Sequence, residues 1–275
     1  SGSKAMTALV VMRLVEEGRL SLATTARSLL GDDLPLVAYG VTVEHLLSHC
    51  SGIGDYLDDD AEASAYLMPV PVHRLDTTEA FVPVLDGYPT VFPAGERFSY
   101  CNGGFVLLAL LAERVTGVGY HELVRRTVCR PAGLSSTDFL RSDDLPGDAA
   151  TGYVEVDGAW RTNVFHLPVL GTGDGGIYTT AADVHRFWTA LFAGRIVAPS
   201  TLSEMLRPRH TSEEDGEAYG LGFWLHLTGG GVALEGADAG VSFRTDHLPA
   251  EGLTRTVISN TSDGAWPVVR ALREA

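Results

Sequence analysis

The sequence predicts an α+β fold, with helices dominating the first half and strands the second. Ala5 to Val15 is apolar on nearly every side, interrupted only by Thr7 and Arg13. Phe105 to Val115 is a second strongly apolar run. From Gly152 onward the chain changes to short β-rich runs punctuated by Gly, Asn and Asp. A helix that is apolar all round is a buried helix. Helices followed by strands suggest the two segregate, as in α+β domains.

Taken in order, the first helix ends at Glu16-Glu17-Gly18, where charge returns to water and glycine can terminate it. Gly18 to Pro35 reads as an exposed connection. Thr42 is placed to cap a short helix reaching His49, with Glu44 near its positive end. Residues 55–90 read as loops with one or two short helices, one starting at Thr78. Pro93 to Glu96 is a turn, and Asn102-Gly103-Gly104 is a turn that lets backbone come close to something. Thr116-Gly117 stops the second apolar helix. A third, amphipathic helix is expected over His121–Arg130, closed by Pro131, with a loop over Leu134–Phe139.

In the second half, Gly152 to Trp160 reads as a hairpin turning at Asp157-Gly158. Thr180 caps the next helix, with Asp183 in its first turn. Ser200–Leu206 is another short helix. Strands are expected over 219–225, 232–236, 241–244 and 253–259, with a closing helix over Trp266–Arg273. No repeat or low-complexity segment is present.

Composition narrows the function. A formal net charge of −15 argues against a nucleic-acid partner, which selects a basic face, and against an anionic membrane surface. No apolar stretch reaches the length that spans a bilayer. Cys50, Cys101 and Cys129 are odd in number and widely spaced, which suits reduced thiols in a cytoplasmic protein. No cofactor or metal site is expected. His45 and His49 have an i, i+4 spacing that zinc can use, but no third ligand follows, so both read as structural. The cluster Gly171-Thr-Gly-Asp-Gly-Gly176 lacks the Lys-Ser/Thr of a phosphate loop.

The chemistry points to the front of the first helix. Ser1 and Lys4 are three residues apart and share a helix face. The helix N-terminus favours negative charge, and a lysine half buried there gives up its proton more readily than in water. Together they make a nucleophile with an amine base in reach. The same residue types also suit an ordinary N-cap and a solvated first-turn lysine.

Several motifs then align in order. Ser1-Gly-Ser-Lys4, His45-Leu-Leu-Ser-His-Cys-Ser-Gly52, Tyr100-Cys-Asn102, and Gly175-Gly176 with Thr180 and Asp183 resemble landmarks of the beta-lactamase-like serine hydrolases. That group includes class C beta-lactamases, DD-peptidases and related esterases. The resemblance covers nearly the whole chain. It implies an antiparallel sheet flanked by helices, with residues 1–19 and 151–275 forming the α/β part and about 20–150 a helical subdomain. It implies that Ser1 attacks a carbonyl, that Lys4 and Tyr100 move its proton, and that Asn102 orients Lys4 or the substrate. The backbone N–H groups of Ser1 and Ala237 would form the oxyanion hole. The partner would be a small ester, amide or peptide. As plain structure, Tyr100 is a buried aromatic and Asn102 a turn residue.

Two departures stand out. Members of that family carry several dozen residues before the nucleophile, so an N-terminal segment is expected upstream of Ser1. In the third motif, where the family has Lys or His two residues before Gly, this chain reads Leu234-Glu235-Gly236. Strand alternation lets only one of Leu234 and Glu235 face the nucleophile. Either choice removes an attraction for an anionic substrate, which points to ester or peptide cleavage with weak beta-lactam turnover. The same departure leaves open a catalytically inactive binding or sensing module. A third reading, an N-terminal-nucleophile hydrolase, conflicts with Ser1 opening a helix rather than a strand.

Overall fold

The computed structural model describes residues 1–57, 68–212 and 216–274. Helix α1 spans Lys4–Glu16, buried continuously from Lys4 to Met12. Within the expected connection lies a short helix, α2 (Arg27–Leu30), followed by α3 (Val43–Leu47). Thr42 caps α3: its Oγ1 accepts from the His45 N–H at 3.2 Å, while His45 Nδ1 accepts from the Thr42 N–H at 3.3 Å. His45 thereby completes a reciprocal cap, the structural role its position suggests. Thr78 leads into a 3₁₀ turn, Glu79–Phe81, that continues as α4 (Val82–Leu85). Residues 58–67, part of the segment expected to be loops and short helices, lie outside the described residues.

Helix α5 is Asn102–Thr116, so Asn102, Gly103 and Gly104 form its first turn rather than a preceding loop. The cap is distant in sequence: the Asp55 carboxylate accepts from the N–H groups of Asn102 at 2.6 Å and Gly103 at 2.8 Å. A carboxylate there satisfies orphan donors and meets the positive helix end. The third helix comprises α6 (Tyr120–Val124), a π turn over Arg125–Cys129, and α7 (Arg130–Ala132). Pro131 does not close it. The backbone is helical through Cys129 and Arg130, so Pro131 lies inside the run just after the π turn, and Gly133 in the left-handed region ends the helix.

Strand β1 (Asp138–Phe139) lies in the expected loop. The predicted hairpin forms from β2 (Tyr153–Val156) and β3 (Ala159–Thr162), with positive φ at both Asp157 and Gly158. Strand β4 (Ile177–Tyr178) pairs with β1. Then come α8 (Ala181–Phe192), capped by Thr180, and α9 (Pro199–Met205). Strands β5 (His210–Ser212), β6 (Glu217–Tyr219), β7 (Trp224–His226), β8 (Val232–Asp238), β9 (Val241–Leu248) and β10 (Leu253–Ser259) precede α10 (Ala265–Glu274). The single strand expected over 219–225 is two strands. Leu221 and Phe223 between them are fully buried, so the chain turns into the core instead of running straight through the sheet.

The six strands β5 to β10 form an antiparallel sheet in sequential order. Strand β7 pairs only with Val232 and Ala233 of β8. The remainder of β8 has β9 on one side, and its Gly236 lies against the start of α1. A Cβ built on Gly236 would sit 2.6 Å from the Ser1 nitrogen and 2.8 Å from the Gly2 nitrogen. Fully buried Trp188 of α8 donates from Nε1 to Thr245 Oγ1 at 3.0 Å and stacks on His247, which fixes that helix on β9. Among the described residues no single helix is long and apolar enough to cross a membrane.

The core also wedges loop 171–176 between helices. A Cβ on Gly173 would lie 2.1 Å from the Phe105 carbonyl oxygen and 2.8 Å from Ala109 Cβ, both on α5. Gly173→Ala is therefore expected to lower stability by about 1–3 kcal/mol, the usual cost of overpacking. Gly147→Ala, where an added Cβ meets nothing within 4 Å, serves as the control. Urea melts of the two variants check this.

Candidate active site

Lys4 is 2% exposed, and its Nζ lies 2.9 Å from Ser1 Oγ, 2.8 Å from Asn102 Oδ1 and 2.9 Å from the Asp174 carbonyl oxygen. These contacts join α1, α5 and loop 171–176. The amide and peptide oxygens are acceptors only, so each must take an N–H from Lys4. Ser1 Oγ alone among these three can also donate. When the amine is neutral, its two hydrogens serve Asn102 and Asp174, and its lone pair is left for the Ser1 hydroxyl.

One turn along α1, Thr7 Oγ1 donates to the Gly173 carbonyl at 2.6 Å and meets Tyr120 OH at 2.7 Å. Lys4 and Thr7 thus hold consecutive carbonyls of one loop. His121 Nε2 lies 2.8 Å from the Gly171 carbonyl oxygen, and burial holds the His121 ring below its ordinary pKa. The loop therefore turns carbonyl oxygens toward its donors, the opposite of a phosphate cradle. Tyr56 OH donates to Asp174 Oδ2 at 2.5 Å, and burial raises the Tyr56 phenol well above its ordinary pKa. Asp55, Tyr56, Thr7 and the two loop carbonyls were not legible as site residues. For the loop carbonyls the glycine cluster at 171–176 is a signal of close backbone approach, which does not say whether N–H groups or oxygens face the site.

Tyr100 precedes α5. The Lys4 Nζ sits 4.8 Å from the centroid of its ring, and the His49 imidazole stacks on it at 4.2 Å. His49 Nδ1 accepts from the Cys101 N–H at 3.0 Å, so the two histidines of the i, i+4 pair serve different backbone segments. Among the described residues no cluster of three or more His, Cys, Asp or Glu side chains is arranged to hold a metal ion. Cys50, Cys101 and Cys129 are free thiols, and burial pushes Cys129 up to about 11, which disfavours its thiolate.

On β8, Gly236 lies against Ser1, and Ala237 next to it is exposed. Leu234 is 5% exposed and belongs to the main core. The Glu235 carboxylate accepts from Arg244 Nη1 at 2.6 Å. Arg244, itself 4% exposed, also holds Glu217 at 2.6 Å and Asp246 at 2.9 Å, and His226 Nε2 lies 2.9 Å from Asp246. Arg244 and His226 keep Asp246 down at about 2 against the opposing effect of its burial. Ser1, Lys4, Tyr100, Asn102 and Gly236 are thus brought together. Leu234 and Glu235 are taken up by the core and by this ion cluster.

The chain matches the family described as Beta-lactamase over residues 1–274. It belongs to the beta-lactamase family. A crystal structure of a penicillin-binding protein from Bacillus halodurans is 35% identical, with a TM-score of 0.93, over 100% of this chain and 84% of that one. Penicillin-binding protein 4* of Bacillus subtilis is 28% identical over 81% of this chain and 51% of its own length. Esterase EstB of Burkholderia gladioli is 28% identical over 100% of this chain and 80% of its own. The chain spans about half the length of the Bacillus subtilis relatives it matches. Membership in the beta-lactamase family agrees with the α+β architecture and with the order of the motifs.

The buried histidine gives a pH dependence. Burial, with Lys4 adding to it, holds His49 well below 6.5, so it stays neutral in the folded chain and takes a proton on unfolding. Its contribution to stability is present above pH 6.5 and is lost as pH falls toward the folded value. The slope is about 1.4 kcal/mol per pH unit for one such group. Urea melts between pH 7 and pH 5 should show stability falling with pH, and a smaller slope in His49→Asn.

Proposed function

We propose that this protein is a serine hydrolase that cleaves a neutral ester or amide through a covalent acyl-serine intermediate. The observation that carries the reading is Lys4 Nζ at 2.9 Å from Ser1 Oγ, with two acceptor-only oxygens engaging its hydrogens. Ser1 Oγ attacks the substrate carbonyl while Lys4 takes its proton. Tyr100, beside Lys4, relays that proton to the leaving group. Asn102 orients Lys4. The N–H groups of Ser1 and Ala237 receive the developing oxyanion, and Gly236 lets the strand approach closely enough for both to reach it. Water then repeats the sequence on the acyl-enzyme.

The substrate class follows from β8. Leu234 supplies no cation, and the Glu235 carboxylate is paired with Arg244, which it shares with Glu217 and Asp246. A missing charge-assisted hydrogen bond is worth about 1.5–3 kcal/mol, roughly 10- to 150-fold in rate. Neutral esters and amides are favoured over penicillins and cephalosporins, in keeping with a relative named as an esterase.

A fluorophosphonate probe should label Ser1, and Ser1→Ala should abolish labelling. Lys4→Ala and Tyr100→Phe should each lower acylation about 100- to 10,000-fold, without the losses multiplying when combined, because the groups act as a unit. Absence of labelling in the intact protein would support a binding module in its place. In parallel, kcat/KM for an aryl butyrate should exceed that for a chromogenic cephalosporin; a reversed order would refute the substrate assignment.

A further inference from the structure

His49 bonds to the residues on both sides of Tyr100. Its carbonyl oxygen accepts from the Ser99 N–H at 2.8 Å, and its Nδ1 accepts from the Cys101 N–H at 3.0 Å. The ring lies on Tyr100 at 4.2 Å with an interplanar angle of 29°. We propose that His49 is a positioning residue for Tyr100, gripping the two flanking N–H groups so that the phenol is held beside Lys4. This rests on the reading of Tyr100 as a proton carrier.

Two features separate this role from plain packing. His49 has φ of 55°, in the left-handed region that favours glycine and that asparagine and histidine adopt more readily than most. Its Nε2 is buried with no hydrogen-bond partner among the described residues. Because Nδ1 accepts, the proton of the neutral ring sits on Nε2. A residue serving stability alone would be expected to carry neither cost. Left-handed backbone and unsatisfied polar atoms of this kind concentrate at functional sites, where geometry outranks local stability. The grip requires the neutral ring, since an imidazolium would turn a second donor toward the Cys101 N–H. The groups facing His49 are Lys4 from α1, Tyr100 and Cys101 from the loop, Phe98 beside them, Phe105 from α5 and Tyr219 from β6. Burial is the main influence keeping the ring neutral, and any charge on Lys4 adds to it.

The test uses turnover of an aryl butyrate with thermal melts as the folding control. His49→Phe keeps an aromatic ring and removes the acceptor. His49→Asn tolerates the left-handed backbone and places an oxygen near the position of Nδ1. His49→Phe should lower kcat about 100-fold, the scale set by a misplacement near 1 Å, with KM little changed. His49→Asn should recover at least about tenfold of that loss, as restoring a lost hydrogen bond to the loop predicts. Adding His49→Phe to Tyr100→Phe should cost little further, because His49 acts through Tyr100. A folded His49→Phe with wild-type kcat, a His49→Asn no better than His49→Phe, or multiplying losses in the double variant would each overturn the proposal. An inactive Tyr100→Phe beside a fully active His49→Phe removes the His49 assignment alone. A fully active Tyr100→Phe removes the reading beneath it.

Discussion

The site depends on burying the Lys4 amine at the front of an apolar helix. Burying an amine is costly unless its polar atoms find partners. Here that cost is offset by oxygens from three places in the chain: Ser1 Oγ, Asn102 Oδ1 and the Asp174 carbonyl. Each must arrive within hydrogen-bond distance, so α1, α5 and loop 171–176 have to pack with little tolerance. Gly173 against the Phe105 carbonyl is one expression of that demand, since any side chain there would push the loop away from Lys4.

The same constraint reaches the sheet. The backbone of β8 passes so close to Ser1 that Gly236 cannot carry a Cβ without collision. Strand β8 is in turn held by β9 and by ion pairs on the next residue, Glu235, with Arg244 at their centre. Removing one partner from such a cluster leaves an uncompensated buried charge, so register and electrostatics are coupled. The arrangement also ties the half-exposed Glu235 carboxylate to Arg244.

Membership in the beta-lactamase family accounts for the order of the landmarks, and the geometry explains why they recur together. The His45–Gly52 segment contributes a helix cap through His45 and a grip on the Tyr100 loop through His49. The Tyr100–Asn102 segment contributes an aromatic ring beside Lys4 and an amide oxygen on it. His45, His49 and Asn102 act through directed hydrogen bonds that a residue matched only in hydropathy would not make.

The sequence by itself determined the elements whose signal is local. The apolar runs of α1 and α5, the Thr42 and Thr180 caps, the Asp157-Gly158 hairpin and the three long strands follow from periodicity and cap or turn chemistry. The pairing of Ser1 with Lys4 was likewise legible from their spacing, although Ser1 lies in the turn before α1, not on the helix, and the Lys4 N–H bonds to its carbonyl at 3.0 Å. Tertiary structure decided what depends on long-range contact. The π turn and in-helix Pro131, the Asp55 cap that starts α5 at Asn102, and the split of β6 from β7 at buried Leu221 and Phe223 have no local signal. So too with the carbonyls of loop 171–176, whose glycines suit either polarity until the chain is folded. Whether such a loop offers N–H groups or oxygens is set by which side packs on α1 and α5. Glu235 shows the same division: strand alternation restricted it to one of two faces, and Arg244, nine residues on, chose which.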